Sequence, residues 1–120
     1  MVSDGVRKLQ ERMKQFGLGI IRLAEKMPAS KAAGVVAYQI LKSGTSAGAN
    51  YRAACRVRSK ADFIAKMGIV EEELDETSFW LELLLGAEIL ALHDVDDLLR
   101  EANELLGIVV VSIRTAKRRS

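Results

Sequence analysis

The 120 residues contain one cysteine, one proline, one histidine and one tryptophan. A lone Cys55 excludes an internal disulfide and any multi-cysteine metal site, and it fits a reducing compartment. A lone His93, with no Glu-x-x-His pair, leaves the carboxylate–histidine di-metal centres of helical bundles without their ligands. No apolar run reaches the roughly 20 residues of a membrane span. The longest, around Phe79 to Leu92, is interrupted by Glu82 and Glu88. No basic stretch followed by an apolar one opens the sequence, so no secretory signal is read. The expectation is a soluble, cytoplasmic chain with no membrane partner and no cofactor.

What is present favours helices. Hydrophobic residues make up 49% and charged residues 28%, a balance that suits an all-helical globular protein. The length fits one domain, residues 1–120, with a core that needs no staple.

The stretch from Ser43 to Leu84 organises the rest. Ser59-Lys60-Ala61-Asp62 carries the capping-box pattern, a hydroxyl followed three residues later by an acid. It predicts a helix from Lys60, after one that ends near Val57. Phe63, Met67, Val70, Leu74, Thr77, Leu81 and Leu84 then step by four and three, an apolar seam along one face. Upstream, Ser43, Gly44, Ser46, Ala47, Gly48, Ala49, Ala53 and Ala54 are small, which lets two backbones approach closely.

The flanking segments follow the same rhythm. Ser3 or Asp4 caps a first helix with its seam at Val6, Leu9, Met13, Phe16, Ile20, Leu23 and Met27. Gly17 and Gly19 weaken it by about 1 kcal/mol each, to be offset by packing, and Pro28 ends it. Ser30 caps a second helix with apolar positions Val36, Ile40, Ala47, Tyr51 and Ala54; a break at Gly44–Gly48 is the alternative. A turn at His93 and Asp94, with Asp94 as cap, leads to a seam at Val95, Leu98, Ala102, Leu105, Val109, Ser112 and Ala116. The β-branched run Ile108-Val109-Val110-Val111 suits a strand, but the seam passes through it in phase, so it is read as helix. The tail from Ala116 to Ser120 is expected to fray. Helices over about 4–26, 31–57, 60–90 and 95–116, joined by short turns, predict an all-α, antiparallel up-down-up-down four-helix bundle.

The segments Ser43-Gly44-Thr45-Ser46, Ala49-Asn50-Tyr51, Arg58-Ser59-Lys60-Ala61-Asp62-Phe63 and Glu72 through Trp80-Leu81 carry a resemblance. Over about a third of the chain, the sequence resembles the four-helix-bundle proteins encoded in intervening sequences of bacterial large-subunit rRNA genes. Relatives of that family look like the accessory protein of diversity-generating retroelements. The resemblance implies a bundle that assembles into a homopentameric ring, and, through the retroelement relatives, binding of nucleic acid and of a reverse transcriptase. Two positions depart from the common pattern. Ala53 stands where many members carry an acid, so no role of that acid transfers, and Ala47 stands where many carry a branched aliphatic residue.

Four groups of residues are candidates for function. Cys55 lies among Arg52, Arg56 and Arg58, which favour a thiolate, but no base is nearby for nucleophilic catalysis. It is read as a small buried cysteine, His93 as a solvated turn residue, and the chain as no enzyme. Glu71, Glu72, Glu73, Asp75 and Glu76 crowd one and a half turns of the third helix. They read as a solvated face. Alternatively, Ser43, Ser46 and Asn50, three and four apart on the second helix, form a buried polar layer with Glu72 or Glu76 that fixes register. Folding back about a turn near Arg58 sets Ser43 opposite residue 73 and Asn50 opposite residue 66.

Phe79 and Trp80 leave the seam and, with Leu83, Leu85, Ile89 and Leu90, make the second half of the third helix apolar nearly all round. Phe79, Trp80, Leu83 and Ile89 are therefore expected at an interface with a second subunit; a thick core with ordinary exposed leucines is the alternative. The charge is polarised although the net is +2. Thirteen basic residues fall toward the bundle end that holds the N-terminus, the turn between the second and third helices and the C-terminus. They are Arg7, Lys8, Arg12, Lys14, Arg52, Arg56, Arg58, Lys60, Lys66, Arg114, Lys117, Arg118 and Arg119. Only Asp4, Glu11 and Asp62 oppose them there. A basic end suits a polyanion, with contacts expected from Arg52, Arg56, Arg58, Lys60, Arg114, Lys117, Arg118 and Arg119 to RNA or DNA backbone. Tyr51 is read as a core or interface residue, with a base-stacking surface as its alternative. Polarised charge that only aids solubility, and a protein-recruiting adaptor or scaffold ring, are the competing readings.

Overall fold

The computed structural model describes residues 3–119. They form four α-helices, α1 (Asp4–Glu25), α2 (Lys31–Ala54), α3 (Lys60–Gly86) and α4 (Leu92–Arg118), in a rod of 50 × 21 × 20 Å. No strand occurs among the described residues, and the Ile108–Val111 run is helical. Three serines start three helices as their chemistry dictates, each taking a backbone N–H that the first turn leaves unpaired. Ser3 Oγ accepts from Val6 N at 3.2 Å, Ser30 Oγ from Ala33 N at 3.1 Å, and Ser59 Oγ from Asp62 N at 3.0 Å.

Helices pack in chain order, α1 on α2, α2 on α3 and α3 on α4, with a slighter contact closing α4 against α1. Neighbours are antiparallel. The predicted seams are the core: Met13, Phe16, Ile20 and Leu23 on α1 face Ile40, Ala47, Tyr51 and Ala54 on α2. Met67, Val70, Leu74, Leu81 and Leu84 on α3 meet Val95, Ala102, Leu105 and Val109 on α4. At the end of α4 the buried residue is Ile113 rather than Ser112 or Ala116, both half-buried.

The glycines sit where backbones meet. Gly17 lies against Gly44 O, and a Cβ added at Gly44 would stand 2.8 Å from Ile20 Cγ1. α2 stays one unbroken helix across Gly44 and Gly48, because α1 packs there and holds the backbone. On α1's other side, a Cβ at Gly19 would stand 2.8 Å from Leu98 Cδ2 of α4.

Four boundaries differ from expectation. α2 stops at Ala54, and Cys55 to Ser59 form a turn that ends in extended backbone at Ser59. α3 stops at Gly86 instead of about residue 90. Glu88 takes a left-handed φ of 57°, Glu88 N bonds Leu85 O and Ile89 N bonds Leu84 O, the paired bonds of a Schellman stop. α4 begins at Leu92, so His93 lies in its first turn, and Asp94 is not the cap residue. Asp94 instead reaches back to accept from Ala91 N at 2.9 Å. At the other end α4 remains helical through Arg118 rather than fraying from Ala116; Ser120 of the expected frayed tail, and Met1 and Val2 of the expected domain, lie outside the described residues. No described helix is long and apolar enough to cross a membrane.

Candidate functional site

The α2–α3 turn and the two outer helices meet at one end of the rod. The C-terminal turn of α2, the first turn of α3, the start of α1 and the end of α4 enclose an open cleft of about 780 Å³. Its walls are Val6, Ala54, Val57, Phe63 and Ala116, and its mouth carries Arg58, Lys60 and Arg119. Lys60 Nζ donates to the Arg119 carbonyl, which ties the start of α3 to the end of α4. Arg56, Arg114, Lys117 and Arg118 are exposed around this end without lining the cleft. Lys117 and Arg118 occupy the last turn of α4, where a cation also complements the helix dipole.

Four of the thirteen basic residues line or pair elsewhere. Arg52, also exposed, lines a separate groove between α1 and α2, together with Arg7 and Lys14. Arg12 is engaged by carboxylates from α4. Its Nε lies 2.7 Å from Glu101 Oε2, and its Nη2 lies 2.7 Å from Glu101 Oε1 and 2.9 Å from Glu104 Oε1. The Glu101 hydrogen bond pushes the guanidinium above its ordinary value against a smaller opposing effect of burial. The pairing was hidden in the sequence because Arg12 and Glu101 are 89 residues apart.

Tyr51 is buried in the core, so it offers no stacking face. Burial, then its hydrogen bond to Cys55, pushes the phenol above its ordinary value. Cys55 is half-buried at the cleft wall. His93 is exposed, with Nε2 3.4 Å from Asp94 Oδ1. Among the described residues no cluster of His, Cys, Asp and Glu is placed to hold a metal ion.

A polar layer crosses the α2–α3 contact, with partners other than those expected. Ser43 Oγ lies 2.8 Å from Thr77 Oγ1, which lies 2.7 Å from the Glu73 carbonyl oxygen. Each hydroxyl has one proton. The short distances are satisfied together when Ser43 donates to Thr77 and Thr77 donates to the carbonyl. Asn50 Nδ2 donates to both Glu73 carboxylate oxygens, at 2.9 and 3.1 Å. Glu72 and Glu76 are exposed and outside the layer, and Ser46 is half-buried at its margin. The register differs because the extended turn carries the chain beyond the end of α2 before α3 begins. Ser43 therefore meets Thr77 rather than residue 73, and Asn50 meets Glu73 rather than residue 66. Burial pushes the Glu73 carboxyl above its ordinary value, the Asn50 hydrogen bond opposes this, and the charges of Glu76 and Glu72 add to it.

The expected interface residues separate by burial. Phe79 and Leu83 are 52% and 41% exposed. Trp80 and Ile89 pack partly against the core. Trp80 Nε1 donates to Glu76 Oε2 at 3.1 Å, and its ring meets Phe79 edge-on at 5.4 Å. Val35 and Tyr38, exposed on α2, were missed in the sequence. They recur three apart outside the seam, a spacing that places both on one helix face.

The 23S rRNA-intervening sequence protein family matches residues 7–110 of the chain. Among solved structures, the chain is similar to a protein of unknown function from the S23 ribosomal protein family of Bacteroides thetaiotaomicron. The two share 32% identity with a TM-score of 0.82, over 88% of this chain and 97% of that one. No curated protein matches.

Proposed function

The chain belongs to the 23S rRNA-intervening sequence protein family, and from that premise we propose that it is a non-enzymatic, oligomeric binder of RNA or DNA backbone. The observation that carries this reading is the basic end. Arg58, Lys60 and Arg119 rim one cleft, and Arg56, Arg114, Lys117 and Arg118 stand exposed around it. Such a cluster concentrates positive potential where a polyanion approaches. Guanidinium and ammonium groups on a surface with no projecting helix or ribbon make phosphate contacts, which position a duplex or strand without reading its bases. The exposed Phe79 and Leu83 support self-association, and the family resemblance favours five subunits. A ring would repeat the basic end and multiply its field. No nucleophile, base and oxyanion donors converge among the described residues, which supports a binding role over catalysis.

The exposed apolar residues of α3 also favour a second reading, an adaptor ring that recruits a protein such as a reverse transcriptase. Binding at two salt concentrations separates the two. The wild type and a variant with Arg56, Arg58, Lys117, Arg118 and Arg119 changed to Gln are titrated with structured RNA and with duplex DNA. Phosphate binding gives affinity that is broad across sequences, with a log–log salt slope of about −0.7 to −0.9 per contact. The variant keeps its helicity and assembly, binds much more weakly and has a shallower slope. A variant that binds as tightly as the wild type refutes the basic end and puts the adaptor first.

A further inference from the structure

The groove between α1 and α2 is separate from the cleft rimmed by Arg58, Lys60 and Arg119 and encloses about 520 Å³. Its floor is apolar, with Gly17, Leu18, Ile21 and Gly48, and Lys14 and Arg52 stand on its rim. Ile21 is 41% exposed there. Gly17 and Gly48 let the two backbones come close beneath it, a Cβ at Gly17 standing 3.7 Å from Gly44 O and one at Gly48 3.5 Å from Met13 O. Glu11 also lines it, one carboxylate against the three cations Arg7, Lys14 and Arg52.

A surface of opposite character runs along α3. Ile69, Glu73, Glu76, Trp80 and Leu83 follow steps of four and three, so they form one stripe, and Glu73 ties that stripe to the α2 side through Asn50. Ile69 and Leu83 are exposed at its two ends, and Phe79 is exposed beside Leu83. The carboxylates of Glu72 and Glu76 stand exposed between them. Residues apolar at both ends and acidic in the middle make a ridge that matches a groove apolar along its floor and basic at its rim.

We infer that the α3 ridge of one copy docks in the α1–α2 groove of the next, with Glu72 and Glu76 facing Lys14 and Arg52. This rests on the self-association proposed above and names the surfaces that carry it. The occupant is a second copy because the same chain supplies both halves of the match, in apolar surface and in charge. The contact is heterologous, joining two different surfaces. They lie on neighbouring sides of the bundle, the groove between α1 and α2 and the ridge on α3 beside α2. Each copy is therefore turned relative to the last; such a contact builds a ring when the rotation closes and a helical filament when it does not. It also moves Arg52 from the nucleic-acid contacts to the subunit contact.

The test reads oligomeric state by light scattering across a dilution series. Four chains are compared: the wild type, Lys14→Glu with Arg52→Glu, Glu72→Lys with Glu76→Lys, and a chain carrying all four changes. Every changed residue is exposed, and circular dichroism checks that helicity is kept. The wild type is expected to assemble. Each reversed pair sets like charges together and weakens association roughly tenfold or more. The four-fold chain restores opposite charges across the contact, with their signs exchanged, and reassembles. If the wild type assembles and neither reversed pair weakens it, or the four-fold chain stays as dissociated as the pairs, this interface is wrong while self-association stands. A monomeric wild type at tens of micromolar overturns both, and the groove would then be open to an acidic helix of another protein.

Discussion

Gly44 packs so closely on Ile20 that a Cβ added to it would stand 2.8 Å from Cγ1 and 2.9 Å from Cγ2. Two effects compete in Gly44→Ala. Alanine is favoured over glycine inside a helix by about 1 kcal/mol, whereas overpacking a tight contact costs about 1–3 kcal/mol. Ile20 is fully buried and has little room to yield, so the contact wins and the variant is destabilised. Gly107→Ala, in a helix with nothing within 4 Å of the new Cβ, is stabilised by about 0.5–1 kcal/mol. Urea unfolding of both variants shows shifts of opposite sign.

Thr77→Val leaves Ser43 with only the Ile40 carbonyl, 3.5 Å away. A buried hydroxyl deprived of its partner costs about 1–3 kcal/mol. Adding Ser43→Ala removes the stranded group and recovers part of that loss. A thermal or chemical double-mutant cycle measures the coupling, and strict additivity would show that the two hydroxyls do not act together. Ser78 Oγ, buried on the same helix, has no hydrogen-bond partner among the described residues, so Ser78→Ala is neutral or stabilising in the same assay.

Glu73 makes stability depend on pH with an unusual sign for a carboxylate. Its ordinary value is 4.5, and burial raises it in the folded state. The folded chain then holds this proton more tightly than the unfolded chain. The contribution is fully present below about 4.5 and is lost as pH rises through the folded value. Glu73→Gln removes the ionisation and keeps an amide beside Asn50. It is more stable than the wild type at pH 7, and its advantage shrinks as pH falls toward 4.5. Unfolding curves over that range check the trend; no advantage at pH 7 would mean that the Asn50 hydrogen bonds outweigh burial.

Glu88 occupies the left-handed position at the end of α3, where a side chain with a Cβ costs about 1–2 kcal/mol relative to glycine. Glu88→Gly raises the midpoint of thermal unfolding, and Glu88→Ala does not.

Leu83→Glu places a charge on the exposed end of the α3 ridge while leaving the core untouched. It shifts the light-scattering mass toward the monomer with unchanged helicity. Trp80→Glu, aimed at a ring that packs partly against the core, lowers thermal stability as well, so Leu83 is the cleaner probe of assembly.

Much of the fold was legible because periodicity and capping are local. The serines at 3, 30 and 59 and the seams of α1 and α3 read directly from neighbouring residues. What failed was long-range or conformational. The stop of α3 was hidden because Glu88, rather than a glycine, adopts the left-handed turn. The α2–α3 register slipped because the extended turn advances the chain by an amount that residue spacing does not reveal. That slip moved the polar layer from Glu72 and Glu76 to Glu73 and Thr77. Of the basic end, the positions of Arg58, Lys60 and Arg119 followed from topology alone. The diversion of Arg52 into the α1–α2 groove and of Arg12 to Glu101 required three-dimensional packing.

The Arg12 clamp has a consequence for the order of assembly within one chain. Each of the other helix contacts joins sequence neighbours across a short turn, so the loop closed in forming it is small. The α1–α4 seam joins groups 89 residues apart, and the entropic cost of closure grows with the separation. It is also the slightest of the four contacts. The three contacts between sequence neighbours therefore form first, and the α1–α4 seam closes last. Arg12→Gln loosens that seam alone, so it speeds amide exchange in α1 and α4 and leaves it unchanged in α2 and α3.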